Sequence, residues 1–237
     1  LVRPPSTGHH PEFASSEATN GLASRMTPIS RNTEDSDPDP DLQIVRAKLG
    51  VPRTPPDVIS RPRLLEKLEA PGARVILVSA PAGSGKTVLI QDWLQQSRAS
   101  AAWLSLDALD NEPARFLAHF GAAMGLVDLP GMQSAAEAAR NLARTGGSAV
   151  PTLLTTLSQA EDEAVVVLDD VHLLEAASVM ELLEALVTGL RSGPRLVLLS
   201  RVDPPLSLAR LRLSGALTEV RQRDLRFTGE EAAELFR

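Results

Sequence analysis

The chain has 237 residues and 25.3 kDa, room for one large domain or two small ones, with 43% hydrophobic and 23% charged residues as in an ordinary globular protein. It contains no cysteine, which excludes disulfide frameworks, thiolate metal sites and cysteine nucleophiles and suits a reducing cytoplasm. Formal net charge is −6 with a pI near 5.3, so no global basic field draws the chain onto nucleic acid or anionic lipid.

The chain opens on Leu1 rather than Met, as a fragment of a longer protein would, or one read from an unusual start codon. No cationic start followed by an apolar stretch marks a secretory signal. Eleven of the 18 prolines fall in Leu1–Pro71, and residues 1–41 carry three Arg against seven Asp and Glu with almost no apolar period. Such a segment buries too little to offset its ordering entropy, so residues 1–45 read as a disordered, proline-rich acidic tail. The acidic run Glu34–Asp41 reads as a solvated linker, and His9-His10 lack the second pair of ligands a metal site needs.

Residues 46–237 then alternate between two kinds of pattern. Strands are predicted at Arg74–Ala80, Ala101–Leu106, Ala164–Asp169, Leu196–Ser200 and Leu217–Arg221, several of them continuous apolar runs of the kind covered on both faces. Helical spacing appears in Pro62–Glu69, in Thr87–Gln96, around Phe116, Leu117, Phe120 and Met124, and around Val179, Leu182, Leu183 and Leu186. Alternation at this spacing predicts a parallel α/β sandwich. The longest stretch without a charged residue, Thr145–Ala160, contains a Gly-Gly pair and a proline and falls short of the ~20 apolar residues of a membrane span.

The sharpest local signal is Ala80-Pro81-Ala82-Gly83-Ser84-Gly85-Lys86-Thr87, placed after a buried-type strand and before an amphipathic helix. That is the context of a phosphate-binding loop. Gly83 and Gly85 let successive N–H groups turn into one concavity, and the positive end of the following helix, with Val88 in its first turn, adds to the attraction for phosphate. Lys86 would reach the β- and γ-phosphates and the Thr87 hydroxyl would ligate Mg²⁺. Ala80 stands where the strict pattern has Gly.

The complementary half of such a site is an apolar strand ending in a carboxylate, and Val165-Val166-Val167-Leu168-Asp169-Asp170 supplies it. Asp169 is expected on the Mg²⁺ side, and Asp170 as the group that orients or activates the attacking water. Asp170 is one methylene shorter than Glu, which predicts binding more firmly than rapid hydrolysis. Arg201, just past the Leu196–Ser200 strand, lies where ligands of open α/β sheets bind and is a candidate sensor of the γ-phosphate. Arg61, ahead of the first helix, is a candidate to touch phosphate or base. Asp107, Asp110 and Asn111 follow the Ala101–Leu106 strand and read as helix capping, with a place in the Mg²⁺ water network as the alternative. His119 and His172 read as packing or hydrogen-bonding groups.

Several motifs in order carry a resemblance to a known family. They are Lys48-Leu49-Gly50-Val51-Pro52, Ile59–Leu65, Leu77–Thr87, Ala102–Asp107, Asp110–Phe116, Leu168–Leu174, Leu199–Arg212 and Asp224–Thr228. Across residues 48–237 the sequence is similar to the ATPase domain of MalT-like regulators, the large ATP-binding LuxR-type transcription activators of the STAND class of P-loop ATPases. The resemblance implies a sheet of order 5-1-4-3-2 in a three-layer P-loop NTPase sandwich. It implies ATP or ADP with Mg²⁺ as a switch ligand, self-association in the ATP state, and slow hydrolysis that resets the switch. Lys86, Thr87, Asp169, Asp170, Arg201 and, more weakly, Arg61 take their roles from matching motif positions. DNA binding in that family belongs to a C-terminal helix-turn-helix beyond the residues of this chain. The competing expectations are a stand-alone P-loop ATPase or phosphotransferase, for which the arginines of Ser207–Arg212 would form a lid, and a scaffold with an inactive site.

Overall fold

Five short runs become strands: β1 (Val75–Ser79), β2 (Ala101–Ser105), β3 (Val165–Asp169), β4 (Arg195–Ser200) and β5 (Leu217–Arg221). In the computed structural model, which describes residues 44–55, 58–146 and 150–235, they form one sheet of order β2-β3-β4-β1-β5. This is the expected 5-1-4-3-2 arrangement, and every pairing is parallel. β1 lies between β4 and β5, with Val75 opposite both Leu196 and Leu217. All but the last two residues of the expected tail, with the acidic run and His9-His10, lie outside the described residues.

The strands alternate, and the sheet therefore has two apolar faces. Ile76, Val78, Trp103, Val165, Val167, Val197 and Leu199 face α1 (Pro62–Leu68) and α2 (Lys86–Ser97). Val75, Leu77, Leu104, Val166, Leu168, Leu196 and Leu198 face the opposite layer, α3 (Pro113–Met124), α4 (Met132–Thr145), α5 (Val150–Ser158) and α6 (Ala177–Gly189). Two short helices, α7 (Ala209–Leu213) and α8 (Gly229–Leu235), flank β5 in sequence. The sandwich is three-layered, as expected. Among the described residues no helix is long and apolar enough to cross a membrane.

α4, α5, α7 and α8 were not among the expected helices. The apolar face of α4 is Met132, Ala135, Ala136, Ala139 and Leu142, all buried, so its stripe is mostly methyl groups and weak as a sequence signal. That smallness has a packing role. At Gly121 of α3 a Cβ would stand 2.8 Å from the Ala136 carbonyl oxygen, so the two helices meet at a distance only small residues allow. α3 itself starts as its sequence dictates: Pro113 occupies the first turn, and the Glu112 carboxylate accepts from the N–H groups of Ala114 and Arg115.

The outer edge of β2 is covered by the segment that precedes α1. Leu49 bridges Leu104 in antiparallel fashion, and Gly50 N–H donates to the Trp103 carbonyl at 3.1 Å. An otherwise open strand edge is thereby paired. The segment is fixed by polar groups too: Lys48 Nζ bonds the fully buried Asp110, His119 Nδ1 lies 2.8 Å from the same carboxylate, and Val45 N–H donates to His119 Nε2 at 3.1 Å.

Candidate functional site

Strand ends set the site. β1, β3 and β4 finish at one edge of the sheet, with Ser79 level with Ser200 and Arg221, and Asp169 level with Ser105. The loop from Ala80 to Gly85 leaves β1 there and enters α2. Its conformation requires glycine at two places: φ is +74° at Gly83 and +84° at Gly85, the residue that caps α2. Lys86 is buried, and its Nζ donates to the carbonyl oxygens of Ala80 at 2.7 Å and Pro81 at 3.0 Å. The Pro81 carbonyl also accepts from the Ser84 hydroxyl at 2.8 Å. The loop thus curls around its own lysine, at the positive end of a 12-residue helix.

β3 brings its carboxylates to this loop. Thr87 Oγ1 donates to Asp169 Oδ2 at 3.3 Å, joining two residues 82 positions apart. Burial, and then the neighbouring Asp170, pushes the Asp169 carboxyl above its ordinary value, against hydrogen bonds from Asp170 N–H and Thr87 and the charge of Lys86. Burial likewise holds the Lys86 ammonium below its ordinary value, with Asp169 and Asp170 opposing and Arg201 reinforcing the shift. Buried charge of both signs is therefore gathered here with incomplete compensation, the arrangement found where a charged ligand is to be received.

Among the described residues Asp170 is one of two non-glycine residues at positive φ, at 60°. Its N–H donates to Asp169 Oδ1 at 2.9 Å, and its carbonyl accepts from Leu173 N–H at 3.0 Å, closing a 3-10 turn over Val171–Leu173. His172 Nδ1 stands 3.7 Å from Asp170 Oδ1 and has no hydrogen-bond partner among the described residues. Arg201 is exposed just beyond β4, and its charge is felt at both Lys86 and His172. Lys86, Thr87, Asp169 and Asp170 are thus brought into one place, with Arg201 at its margin.

Arg61 belongs to a neighbouring wall. It is only 5% exposed, which its position ahead of a helix did not indicate. Its Nη1 donates to the Leu225 carbonyl at 3.1 Å, its guanidinium lies 5.5 Å from the Phe227 ring centroid, and a Cβ on Gly85 would meet its Nη2 at 3.4 Å. It lines a cavity of about 310 Å³ with Pro55, Val58, Ile59, Gly83, Ser84, Gly85, Val88, Leu225 and Phe227. Pro81 and Ala82 are exposed at the crest of the loop. Sequence reading did not reach the apolar half of this cavity, because Val58 and Ile59 come from one end of the domain and Leu225 and Phe227 from the other. A larger cavity of about 860 Å³ lies at the opposite sheet edge, lined by Ser100, Glu163 and Arg195 at the strand starts, and takes no part in this chemistry.

The acids after β2 do not join the carboxylates of β3. Asp107 accepts from Leu109 N–H and, with Asp110, forms a capping box on the turn Ala108–Asn111, as the capping reading expects. Burial opposes charge on Asp110, but bonds from His119, Lys48 and Asp107 N–H outweigh it and hold the carboxyl below its ordinary value. Among the described residues no cluster of three or more His, Cys, Asp or Glu could by itself hold a metal ion. Thr87 and Asp169 nevertheless offer an oxygen pair beside a phosphate-type loop, which suits a hard cation that takes its remaining ligands from phosphate and water.

Residues 63–199, more than half of the chain, match the AAA ATPase domain family. Among curated relatives, the HTH-type transcriptional regulator MalT of Serratia proteamaculans is 32% identical over 195 residues, covering 81% of this chain and 22% of its own. MalT of Yersinia enterocolitica is 32% identical over 196 residues with the same coverage, and MalT of Vibrio cholerae 30% over 196 residues, covering 81% of this chain and 21% of its own. The chain therefore spans about a fifth of the length of these relatives. A solved structure, C. elegans PCH-2, aligns with 67% of this chain and 39% of its own at 19% identity and a TM-score of 0.32.

Proposed function

The chain belongs to the AAA ATPase domain family, and from that premise we propose that it is the nucleotide switch domain of a MalT-like transcription regulator. ATP or ADP binds at the loop Pro81–Val88 with Mg²⁺, and slow hydrolysis controls self-association. One observation carries the reading: the curled loop Ala80–Gly85 sets Lys86 at the start of α2, within reach of the Thr87–Asp169 oxygen pair.

In this reading the backbone N–H groups of Gly83 to Thr87 and the Lys86 ammonium hold the phosphates. Thr87 and Asp169 hold the cation, which when bound supplies neutralising charge to the phosphate oxygens. Asp170 accepts a proton from the attacking water, and Arg201 contacts the γ-phosphate from the β4 side. The cavity beside Arg61, walled by Val58, Ile59, Leu225 and Phe227, takes the base. Slow turnover is supported by Asp170, a short side chain held in left-handed backbone by its own turn. Contact with DNA is made by another module of the longer regulators, and the cytoplasm is the compartment that fits.

A phosphotransferase lid gains no support, since Arg212 is engaged by Glu219 through two bonds of 2.8 Å. The test is calorimetry with Mg-ATP and Mg-ADP on the wild-type chain and on Lys86→Ala, combined with light scattering. Binding by wild type, lost at least ~100-fold in Lys86→Ala, is expected. Unaltered affinity in the variant, or ATP turnover of many molecules per second, overturns the switch reading.

A further inference from the structure

The sequence reads Asn111 as a capping residue, but α3 is capped by Glu112 and not by Asn111. Its side chain instead crosses from the turn after β2 to the turn after β3. Nδ2 donates to the Leu173 carbonyl at 2.7 Å and to the Ala108 carbonyl at 3.1 Å. Oδ1 accepts from the N–H groups of Glu175 at 2.6 Å and Ala176 at 2.7 Å. Both ends of the amide are therefore in use, and the two accepted bonds hold the backbone that leads into α6.

The far end of this clamp is the turn that begins at Asp170. Left-handed backbone at a non-glycine residue costs roughly 1 kcal/mol or more and persists only where the surroundings over-determine it. Here three constraints do so in series: Asp169 holds Asp170 N–H, Asp170 holds Leu173 N–H, and Asn111 holds the Leu173 carbonyl. The near end is equally fixed. Asn111 closes the turn whose capping box is Asp107 and Asp110, and Asp110 is anchored in turn by Lys48 and His119.

We propose that Asn111 is a positioning residue that holds the Asp170 turn in its left-handed form, and so keeps the Asp170 carboxylate over the nucleotide site. The proposal rests on the switch reading above and adds to it a residue that touches no ligand. Without the clamp, the 170–176 segment relaxes toward ordinary backbone, and the group that takes the proton from the attacking water loses its place while the phosphate loop keeps its shape.

The test compares the wild-type chain with Asn111→Ala and with Asn111→Asp, which keeps the acceptor oxygen and loses the bond to Leu173. Backbone hydrogen exchange is read without nucleotide, Kd for Mg-ATP and Mg-ADP by calorimetry, and hydrolysis in a single turnover. In Asn111→Ala, exchange at Leu173, Glu175 and Ala176 accelerates and ADP affinity stays within about twofold. ATP affinity changes as little, and the single-turnover rate falls on the order of tenfold, the scale of a small misplacement of a reacting group. Asn111→Asp shifts the same quantities in the same direction by less, and it carries the test if the alanine variant fails to fold. Faster exchange with an unchanged single-turnover rate shows a merely structural bond and overturns the proposal, as does unchanged exchange. Wild type that binds neither nucleotide overturns the switch reading and this proposal with it. Normal wild-type binding with indifferent variants overturns the role of Asn111 alone.

Discussion

Asp169 ends β3 and Asp110 lies in the turn after β2, both nearly sealed from solvent at 8% and 0% exposure, yet their surroundings treat negative charge in opposite ways. Asp110 receives Lys48, His119 and the N–H of Asp107, and its carboxyl is held below the ordinary value although burial opposes it. Among the described residues Asp169 accepts hydrogen bonds from Thr87 and the N–H of Asp170 and feels the charge of Lys86, but it faces a second carboxylate next in sequence and is pushed up by burial. A buried acid that is fully answered by its own chain belongs to the architecture. One left partly unanswered is a place where stability is given up for a ligand.

The largest effect should come from breaking the answered acid. Asp110→Ala removes the buried bonds to Lys48 and His119, leaves the Lys48 ammonium with only the half-exposed Asp107 at 3.1 Å among the described residues, and should destabilise the chain by about 2 kcal/mol in urea unfolding. Adding Lys48→Met removes the poorly compensated charge and should recover part of that loss. A cost below ~1 kcal/mol for Asp110→Ala would mean that the cluster is not the anchor described here.

The unanswered acid should respond with the opposite sign. Asp169→Asn removes a charge that burial and Asp170 disfavour, and should raise stability without nucleotide by about 1 kcal/mol. The same variant should lose Mg-dependent strengthening of ATP binding. If Asp169→Asn is instead destabilising, the bonds from Thr87 and Asp170 N–H outweigh the burial cost and the contrast between the two aspartates disappears.

The difference in surroundings also explains what the sequence could disclose. The phosphate loop was legible because its chemistry is contained in eight consecutive residues, from Ala80 to Thr87, and Asp169 because an apolar strand ending in acid needs no distant partner to be recognised. Strand order came through the family resemblance. The Lys48–Asp110–His119 cluster was not legible, since Asp110 meets a lysine 62 positions away, and nothing around either residue announces the other. Arg61 shows the same limit: its carbonyl partner at Leu225 is 164 positions on, so nothing beside it in sequence discloses its burial or the Phe227 ring it faces. Asn111 misled for a different reason. The capping chemistry expected of its type is real, but Asp107 and Glu112 perform it on either side, leaving the amide to reach across to another loop. α4 was missed because alanines make a face by fitting closely rather than by being strongly apolar.

A third carboxylate gives the smallest and most selective probe. Glu219 on β5 is lowered from 4.5 to about 2, first by its hydrogen bonds with Arg212, against partial burial, and then by Arg221. Its folded-state value lies below its unfolded one, so its contribution is present above 4.5 and is lost as pH falls toward about 2. Arg212 is largely in water, which screens the pair, and the contribution at neutral pH should be under ~1 kcal/mol. Glu219→Gln should therefore melt slightly below wild type at neutral pH, and the gap should close across that acid window. The gap left by Asp110→Ala should persist below 3.8, because Asp110 stays charged to lower pH than an ordinary aspartate and its ammonium partner is buried. If both gaps close together near the ordinary carboxylate range, Asp110 titrates like a surface group and the compensation assigned to Lys48 and His119 is not what holds it charged.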